Sequence, residues 1–352
     1  MENSLNKIVK EDLQYITAAA LPWQNLAGKN ILITGANGFL PAYVVGTILF
    51  LNDHKFKNKA MVYALVRNRQ KAKEKFKNWG KRKDLKIIVQ DIDKPIKFLP
   101  KLDIVIHAAS QASPRYYGSD PVGTLAPNVA GTYNLLRLAQ QKNAENFLFF
   151  SSSEVYGWGN SKTNKIRETD YGYLDPTQVR SCYAESKRIG ETMCVSWFKQ
   201  FDLSTKIIRF FHTYGPGLGE DDGRVFADFI FSIINKKNII LNSKGDAERA
   251  FCYVADGIRG LFTVLLKGEN AKPYNIGNSQ ALIKIIDLAK LLVKIYPNLG
   301  LKVIKNNKII RSGYLKSKVQ KSCPDISKLK VLGWKPKYSL INGFKRTINS
   351  YL

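Results

Sequence analysis

Tyr183 and Lys187 stand four residues apart within Arg180-Ser181-Cys182-Tyr183-Ala184-Glu185-Ser186-Lys187-Arg188. On a helix this spacing puts both side chains on one face. Apolar and small residues follow at helical spacing from Ile189 to Phe198, so a helix is the expected setting. A lysine ammonium beside a phenol favours the phenolate. The pair is therefore expected to lower the Tyr183 pKa toward neutrality and make that tyrosine a usable general base. Tyrosine and lysine four apart are common on helices, and two other clusters give this pair its weight. One is the turn Thr34-Gly35-Ala36-Asn37-Gly38-Phe39-Leu40, which follows the apolar run Asn30 to Ile33. Glycines there let the backbone approach a pyrophosphate, and a following helix N-terminus offers free N–H groups and positive dipole. Gly35, Asn37, Gly38, Phe39 and Leu40 are thus candidate dinucleotide contacts. A third glycine at this spacing would fall at Pro41. Proline is tolerated in a first helical turn, where its missing N–H would be unpaired anyway. The other cluster is Ser151-Ser152-Ser153-Glu154-Val155-Tyr156-Gly157, which closes the run Asn146 to Phe150.

The elements that must position these groups are legible as apolar runs. Strands are expected from Asn30, at Ala60 to Val66, Leu85 to Val89, Leu102 to Ile106, Asn146 to Phe150 and Thr205 to Arg209. Helices are expected at Tyr43 to Leu51, Asn128 to Gln141, around Tyr183 to Lys199 and at Val225 to Ile234. This alternation predicts an α/β fold, a Rossmann-like doubly wound parallel sheet, with a smaller α/β carboxyl-terminal substrate-binding lobe. Residues 28–212 form the expected dinucleotide-binding domain, to which 251–275 returns, and 213–250 with 276–352 form the lobe. Residues 1–27 are an amino-terminal extension. It holds a short helix from Ile8 to Leu21, closed by the Leu21-Pro22 step and packed on the outside of the domain.

Ligands of such sheets bind at the carboxyl ends of the strands. Arg67 ends the second strand, where an acidic residue for a ribose 2′-hydroxyl is missing. It could stack on adenine or pair with a 2′-phosphate, which leaves NAD and NADP both open. Asp91, beside Ile92, is placed to meet an adenine amino group. Ala108, Ala109 and Ser110 are small enough for the chain to pass beneath a cofactor, and His107 before them reads as a structural histidine.

The 352 residues are 45% hydrophobic, enough for a full core. No run approaches the roughly 20 apolar residues of a membrane span, and Met1 to Lys10 lacks a signal peptide's apolar core. Four cysteines without metal-type spacing and three histidines support neither a zinc site nor a disulfide framework. A cytoplasmic chain with reduced thiols and no metal is expected. The formal charge of +27 is spread along the chain without basic blocks interleaved with aromatics. It suits an anionic diphosphate ligand and carries no nucleic-acid signature.

Taken together, these residues resemble the extended short-chain dehydrogenase/reductases, the NAD-dependent epimerases, dehydratases and decarboxylases of nucleotide sugars. The resemblance rests on Thr34-Gly35-x-x-Gly38-Phe39-Leu40, Ser153 to Gly157, the Tyr183/Lys187 pair and Thr213-Tyr214-Gly215-Pro216, and runs from about Gly28 to the end. Within the family the chain is most similar to UDP-glucuronate decarboxylases, through Ala112-Ser113-Pro114-x-Tyr116, Arg180-Ser181-Cys182-Tyr183, Asp222-Gly223-Arg224-Val225 and Arg249-Ala250-Phe251-Cys252-Tyr253-Val254. Dehydratases carry an Asp-Glu pair where this chain has Ser153-Glu154, which counts against dehydration. It departs from the decarboxylases at Pro41, at Arg67 and at His212, where they usually carry Asn.

The resemblance implies NAD and a homodimer joined through the helices at 128–141 and 183–199. It also implies an internal redox cycle. Tyr183, helped by Lys187, takes the C4 hydroxyl proton of UDP-glucuronate while hydride passes to NAD, and Ser152 hydrogen-bonds the same oxygen. The C6 carboxylate, now β to a ketone, leaves as carbon dioxide with Arg249 beside it and Glu154 handling a proton at C5. Ser113, Arg115, Tyr116, Ser153, His212, Arg224 and Arg249 would hold the nucleotide sugar. Each has a plainer reading: Ser152 and Ser153 as strand-end caps, Arg224 as a surface arginine, Arg249 as a partner of Asp246. Two other functions remain open, a C4 epimerase or oxidoreductase of a neutral nucleotide hexose and a non-catalytic nucleotide-binding protein.

Overall fold

In a computed structural model of the chain, residues 5–96, 101–159, 165–306, 315 and 317–352 are described. The start of the expected extension and positions 307–314 and 316 of the expected lobe lie outside them. Helix α1 (Lys7–Thr17) precedes β1 (Asn30–Thr34), α2 (Phe39–His54), β2 (Met61–Val66), α3 (Arg69–Phe76) and β3 (Leu85–Val89). Then come β4 (Ile104–His107), α4 (Arg115–Ser119), α5 (Pro121–Gln141) and β5 (Asn146–Ser152). A 3-10 turn, Ser153–Tyr156, leads toward α6 (Ser181–Phe201), β6 (Thr205–Phe210), β7 (His212–Tyr214), α7 (Val225–Ile234), β8 (Ile239–Leu241) and β9 (Glu248–Tyr253). The remainder is α8 (Val254–Lys267), β10 (Pro273–Ile276), β11 (Leu282–Lys284), α9 (Ile285–Ile295), β12 (Val303–Lys305), β13 (Lys321–Ser322), α10 (Ser327–Val331) and α11 (Leu340–Asn349).

Seven strands form one parallel sheet in the order β10-β6-β5-β4-β1-β2-β3. Helices cover both faces, so the middles of its central strands are apolar, and Ile31, Leu32 and Ile33 are fully buried. Strand order reverses between β1 and β4, which makes a crevice at their carboxyl ends. The register Thr34↔His107 sets those two ends level. Smaller sheets follow: β9 pairs with β7, β11 and β13, and β8 pairs with β12. One apolar cluster runs from Leu13 through the sheet to Ile348.

The amino-terminal helix ends earlier than expected, at Thr17, where the Ala18 and Ala19 N–H groups bond the Gln14 and Ile16 carbonyls. Nor does it lie merely on the outside. Asp12 is fully buried and accepts from Tyr43 Oη (3.1 Å), Tyr253 Oη (2.8 Å) and Arg346 Nη2 (2.8 Å). Tyr15 Oη donates to buried Asp256 Oδ1 at 2.8 Å, whose carboxylate also takes the Lys337 and Tyr338 N–H groups. Asn6 Nδ2 reaches the Ser350 carbonyl at 3.0 Å. Two buried carboxylates thus stitch α1 to α2, β9, α8 and α11.

Burial outweighs those donors and the Arg346 charge, so the Asp12 carboxyl is pushed up from 3.8 to about 6. A raised carboxyl pKa means the folded chain holds the proton more tightly than the unfolded one. The stability it contributes is full below pH 3.8 and is lost as pH rises through about 6. In denaturant titrations at pH 4 and pH 7, wild type should lose about 2–3 kcal/mol relative to Asp12→Asn.

Candidate active site

Gly35 sits at φ +61°, and a Cβ there would come within 2.8 Å of the Ala109 Cα. Glycine is needed both for the left-handed turn and for the close passage of the chain after β4. The Gly38 N–H closes the turn on the Gly35 carbonyl at 2.8 Å, and α2 starts immediately after it, four residues before the expected Tyr43. Pro41 is the third residue of α2 and is buried, so it keeps close packing at the site of the missing third glycine. It also lacks only an N–H that no helical carbonyl would take.

Under this turn Thr34 Oγ1 accepts the Ala108 and Ala109 N–H groups at 3.1 Å each and meets His107 Nδ1 at 2.9 Å. The Thr132 hydroxyl gives its proton to the Asn128 carbonyl (2.6 Å), so at 3.0 Å it accepts from His107 Nε2. Nδ1 is then the acceptor for Thr34. His107 is a satisfied neutral histidine, pushed down to about 3 by burial and next by the Lys187 charge. Ser110 Oγ is buried without a partner. A left-handed glycine cradle, the α2 N-terminus, a small-residue floor and an orphaned hydroxyl together fit a dinucleotide diphosphate.

Arg67 is exposed just past β2, and its charge reaches Asp120, whose carboxyl is held low first by Gln111, then by the Gly123 N–H and Arg67. Asp91 is exposed as well. The Ile92 side chain is core, packed so closely on α5 that a Cβ at Gly131 would lie 2.6 Å from it. Any dinucleotide contact of Ile92 must therefore use its backbone.

Tyr183 and Lys187 share the inner face of α6, at 6% and 2% exposure. Their electrostatics reverse the sequence expectation. Burial pushes the Tyr183 phenol up to about 12, the Glu154 charge adds to this, and a Ser152 hydrogen bond and the Arg224 charge oppose it. Lys187 does not hold the phenolic oxygen. Its ammonium donates to the Phe150 carbonyl at 2.6 Å and lies against the faces of the Phe149 and Tyr183 rings, 4.9 and 5.7 Å from their centroids. Burial pushes Lys187 itself down to about 7, against the raising influence of Glu191 and Cys194. Tyr117 of α4 stacks on Tyr183 at 5.0 Å and 14°.

Ser152 caps the 3-10 turn by accepting the Glu154 N–H at 3.2 Å, so the plainer reading holds alongside its place beside Tyr183. Ser153 is half-buried in the same turn. Glu154 forms an ion pair with Arg180 at 3.1 Å. The sequence assigns Arg180 no role, because its partner Glu154 lies 26 residues earlier with no helical or strand period between them. His212 opens β7 with a buried, unpartnered Nδ1, and burial followed by the Arg249 and Arg224 charges keeps it neutral.

Arg249 directs its guanidinium to the carbonyls of Glu248 (2.9 Å), Gln320 (3.1 Å) and Val319 (2.8 Å). Arg224 grips Asp222 with two nitrogens, one at 2.7 Å, and lies over the Phe226 ring. Gly223, at φ +81°, lets this segment settle on the loop before α4, since a Cβ would sit 2.8 Å from Ser113 Oγ. Ser113 Oγ is buried without a partner. Arg115 is exposed, stacked on Tyr116 and paired with Asp221 at 3.2 Å. The fold thus gathers Ser152, Glu154, Tyr183 and Arg224 in one group, His212 with both arginines in a second, and Ser113 and Arg115 against Gly223. Among the described residues no group of His, Cys, Asp or Glu could hold a metal ion, and no helix is long and apolar enough to cross a membrane.

Comparison with known proteins shows the family and the fold. UDP-glucuronic acid decarboxylase 6 of Arabidopsis thaliana is 34% identical over 316 residues, covering 89% of this chain and 86% of its own. UDP-glucuronic acid decarboxylase 1 of Xenopus tropicalis is 32% identical, over 92% and 72% of the two chains. The fold is shared with UDP-glucuronic acid 4-epimerase from Bacillus cereus, whose structure holds UDP-glucuronic acid and NAD, at TM-score 0.77 and 24% identity over 92% of this chain and 98% of that one. Residues 31–277 match the description of the NAD dependent epimerase/dehydratase family. That match takes in every strand of the large sheet and both members of the tyrosine–lysine pair, and the chain belongs to that family.

Proposed function

We propose that the chain converts UDP-glucuronate to a UDP-pentose by oxidising C4 and then releasing the C6 carboxylate as carbon dioxide. The observation that carries this reading is the convergence of Ser152, Glu154, Tyr183 and Lys187 at the sheet's carboxyl edge, in a chain a third identical to UDP-glucuronic acid decarboxylases. NAD, when bound, supplies a hydride acceptor at C4 and later returns that hydride, so none is consumed. Gly35, Gly38 and the Phe39 and Leu40 N–H groups would hold its diphosphate, with Ala108 to Ser110 beneath it.

Tyr183 takes the C4 hydroxyl proton, and Ser152 orients that oxygen. Lys187, fixed on the Phe150 carbonyl, contributes positive field one helical turn away. Cleavage of the C5–C6 bond sends its electron pair into the C4 ketone. Glu154 manages the proton that C5 then takes up, and Tyr183 returns its proton to the C4 oxygen when hydride comes back. Arg249, steadied by three carbonyls, faces the carboxylate end of the sugar beside neutral His212, while Ser113, Arg115, Tyr116, Ser153 and Arg224 line the rest. A dimer through α5 and α6 fits the exposure of Val122, Tyr133, Ile189 and Val195 on their outer faces.

Incubation with UDP-glucuronate and NAD should yield a product lighter by one carbon dioxide in mass spectrometry. Unchanged UDP-glucuronate beside turnover of a neutral nucleotide hexose would replace this reading with epimerisation or C4 oxidation. Tyr183→Phe should lower turnover by about 10²–10⁴-fold while leaving nucleotide-sugar affinity nearly intact in calorimetry.

A further inference from the structure

The Glu154 carboxylate and the Tyr183 phenol share this site, and the charge of the first opposes ionisation of the second. Several elements act on Tyr183: Ser152 from β5 by a hydrogen bond, Tyr117 from α4 by stacking, Lys187 from its own helix against the ring, and Glu154 from the 3-10 turn and Arg224 from ahead of α7 by their charges. The cations among them are already engaged. Arg224 is bound to Asp222 through two nitrogens, and Lys187 donates to the Phe150 carbonyl. Arg180 is the cation that meets Glu154. Its Nη1 lies 3.1 Å from Glu154 Oε2, its Nε donates to the Leu315 carbonyl at 3.2 Å, and its guanidinium lies 5.9 Å from the Tyr117 ring that stacks on Tyr183.

We propose that Arg180 is a positioning residue for the acid–base pair, fixing the Glu154 carboxylate in place, offsetting its charge beside the Tyr183 hydroxyl and backing the Tyr117 ring that stacks on the phenol. The proposal rests on the functional reading above. It explains how a carboxylate needed at C5 can stand beside a phenol that must lose a proton at C4. Without the guanidinium, each group would hinder the other.

The test follows C4 oxidation alone, as reduced-nicotinamide absorbance in single turnovers with UDP-glucuronate across pH. Arg180→Ala should move the limb that reports Tyr183 ionisation to higher pH by about one unit. Adding Glu154→Gln to that variant should bring the limb back, and Arg180→Lys should fall between. A merely structural role for Arg180 would not be reversed by removing the Glu154 charge. An unmoved limb in Arg180→Ala, or a limb still displaced in the double variant, overturns the proposal. If wild type reduces no cofactor with any nucleotide sugar, the functional reading itself has failed. Arg180 is then judged on the NAD-loaded protein by the ring-carbon NMR signal that Tyr183→Phe removes. Its titration midpoint must be highest in Arg180→Ala and fall back in the double variant, and any other order defeats the proposal.

Discussion

A lysine ammonium buried at 2% exposure constrains everything around it. Lys187 can stay in that position only because the Phe150 carbonyl, at the end of β5, accepts from it at 2.6 Å. This bond ties α6 to the carboxyl end of β5, beside Tyr183 and Ser152. One turn further along, Glu191 pairs with fully buried Arg209 of β6 at 2.6 and 2.8 Å and accepts from Ser151 Oγ. Arg209 in turn binds Tyr156 Oη, which donates to Asn275 of β10. Removing one partner from such a buried network leaves an uncompensated charge, so the network rigidly sets the register of helix, turn and strands.

The consequence for chemistry is that both members of the tyrosine–lysine pair are displaced from their solution behaviour, in opposite senses. The phenol is made harder to ionise and the ammonium easier to neutralise. Spacing on a helix correctly placed the two side chains on one face. It could not give the sign of the shift, because desolvation depends on what α4, β5 and the 3-10 turn bring against that face.

The same division runs through the rest of the molecule. Continuous apolar runs mark six of the seven strands of the large sheet, since their pattern is local, whereas the edge strand β10, Pro273–Ile276, is too short and mixed to form such a run. The glycine turn declares its helix although Pro41 breaks the usual spacing. Pairings across long stretches of sequence left no such mark. Asp12 meets Arg346, Tyr15 meets Asp256, and Arg180 meets Glu154 across an intervening loop, none of them separated by a helical or strand period. Asp246, three residues before Arg249, suggests an ion pair in the sequence. Strand geometry directs the Arg249 guanidinium at the carbonyls of Glu248, Val319 and Gln320.

The stitched ends of the described chain carry a further meaning for how the fold opens. Terminal helices commonly fray alone, each exchanging its amide protons at its own rate. Here α1 and α11 share Asp12 and Arg346, and Asn6 grips the carbonyl of Ser350. Neither helix can peel away without exposing the carboxylate or guanidinium of the other. The two segments farthest apart in sequence are therefore expected to open as one cooperative unit, tied to α2, β9 and α8 through the same carboxylates.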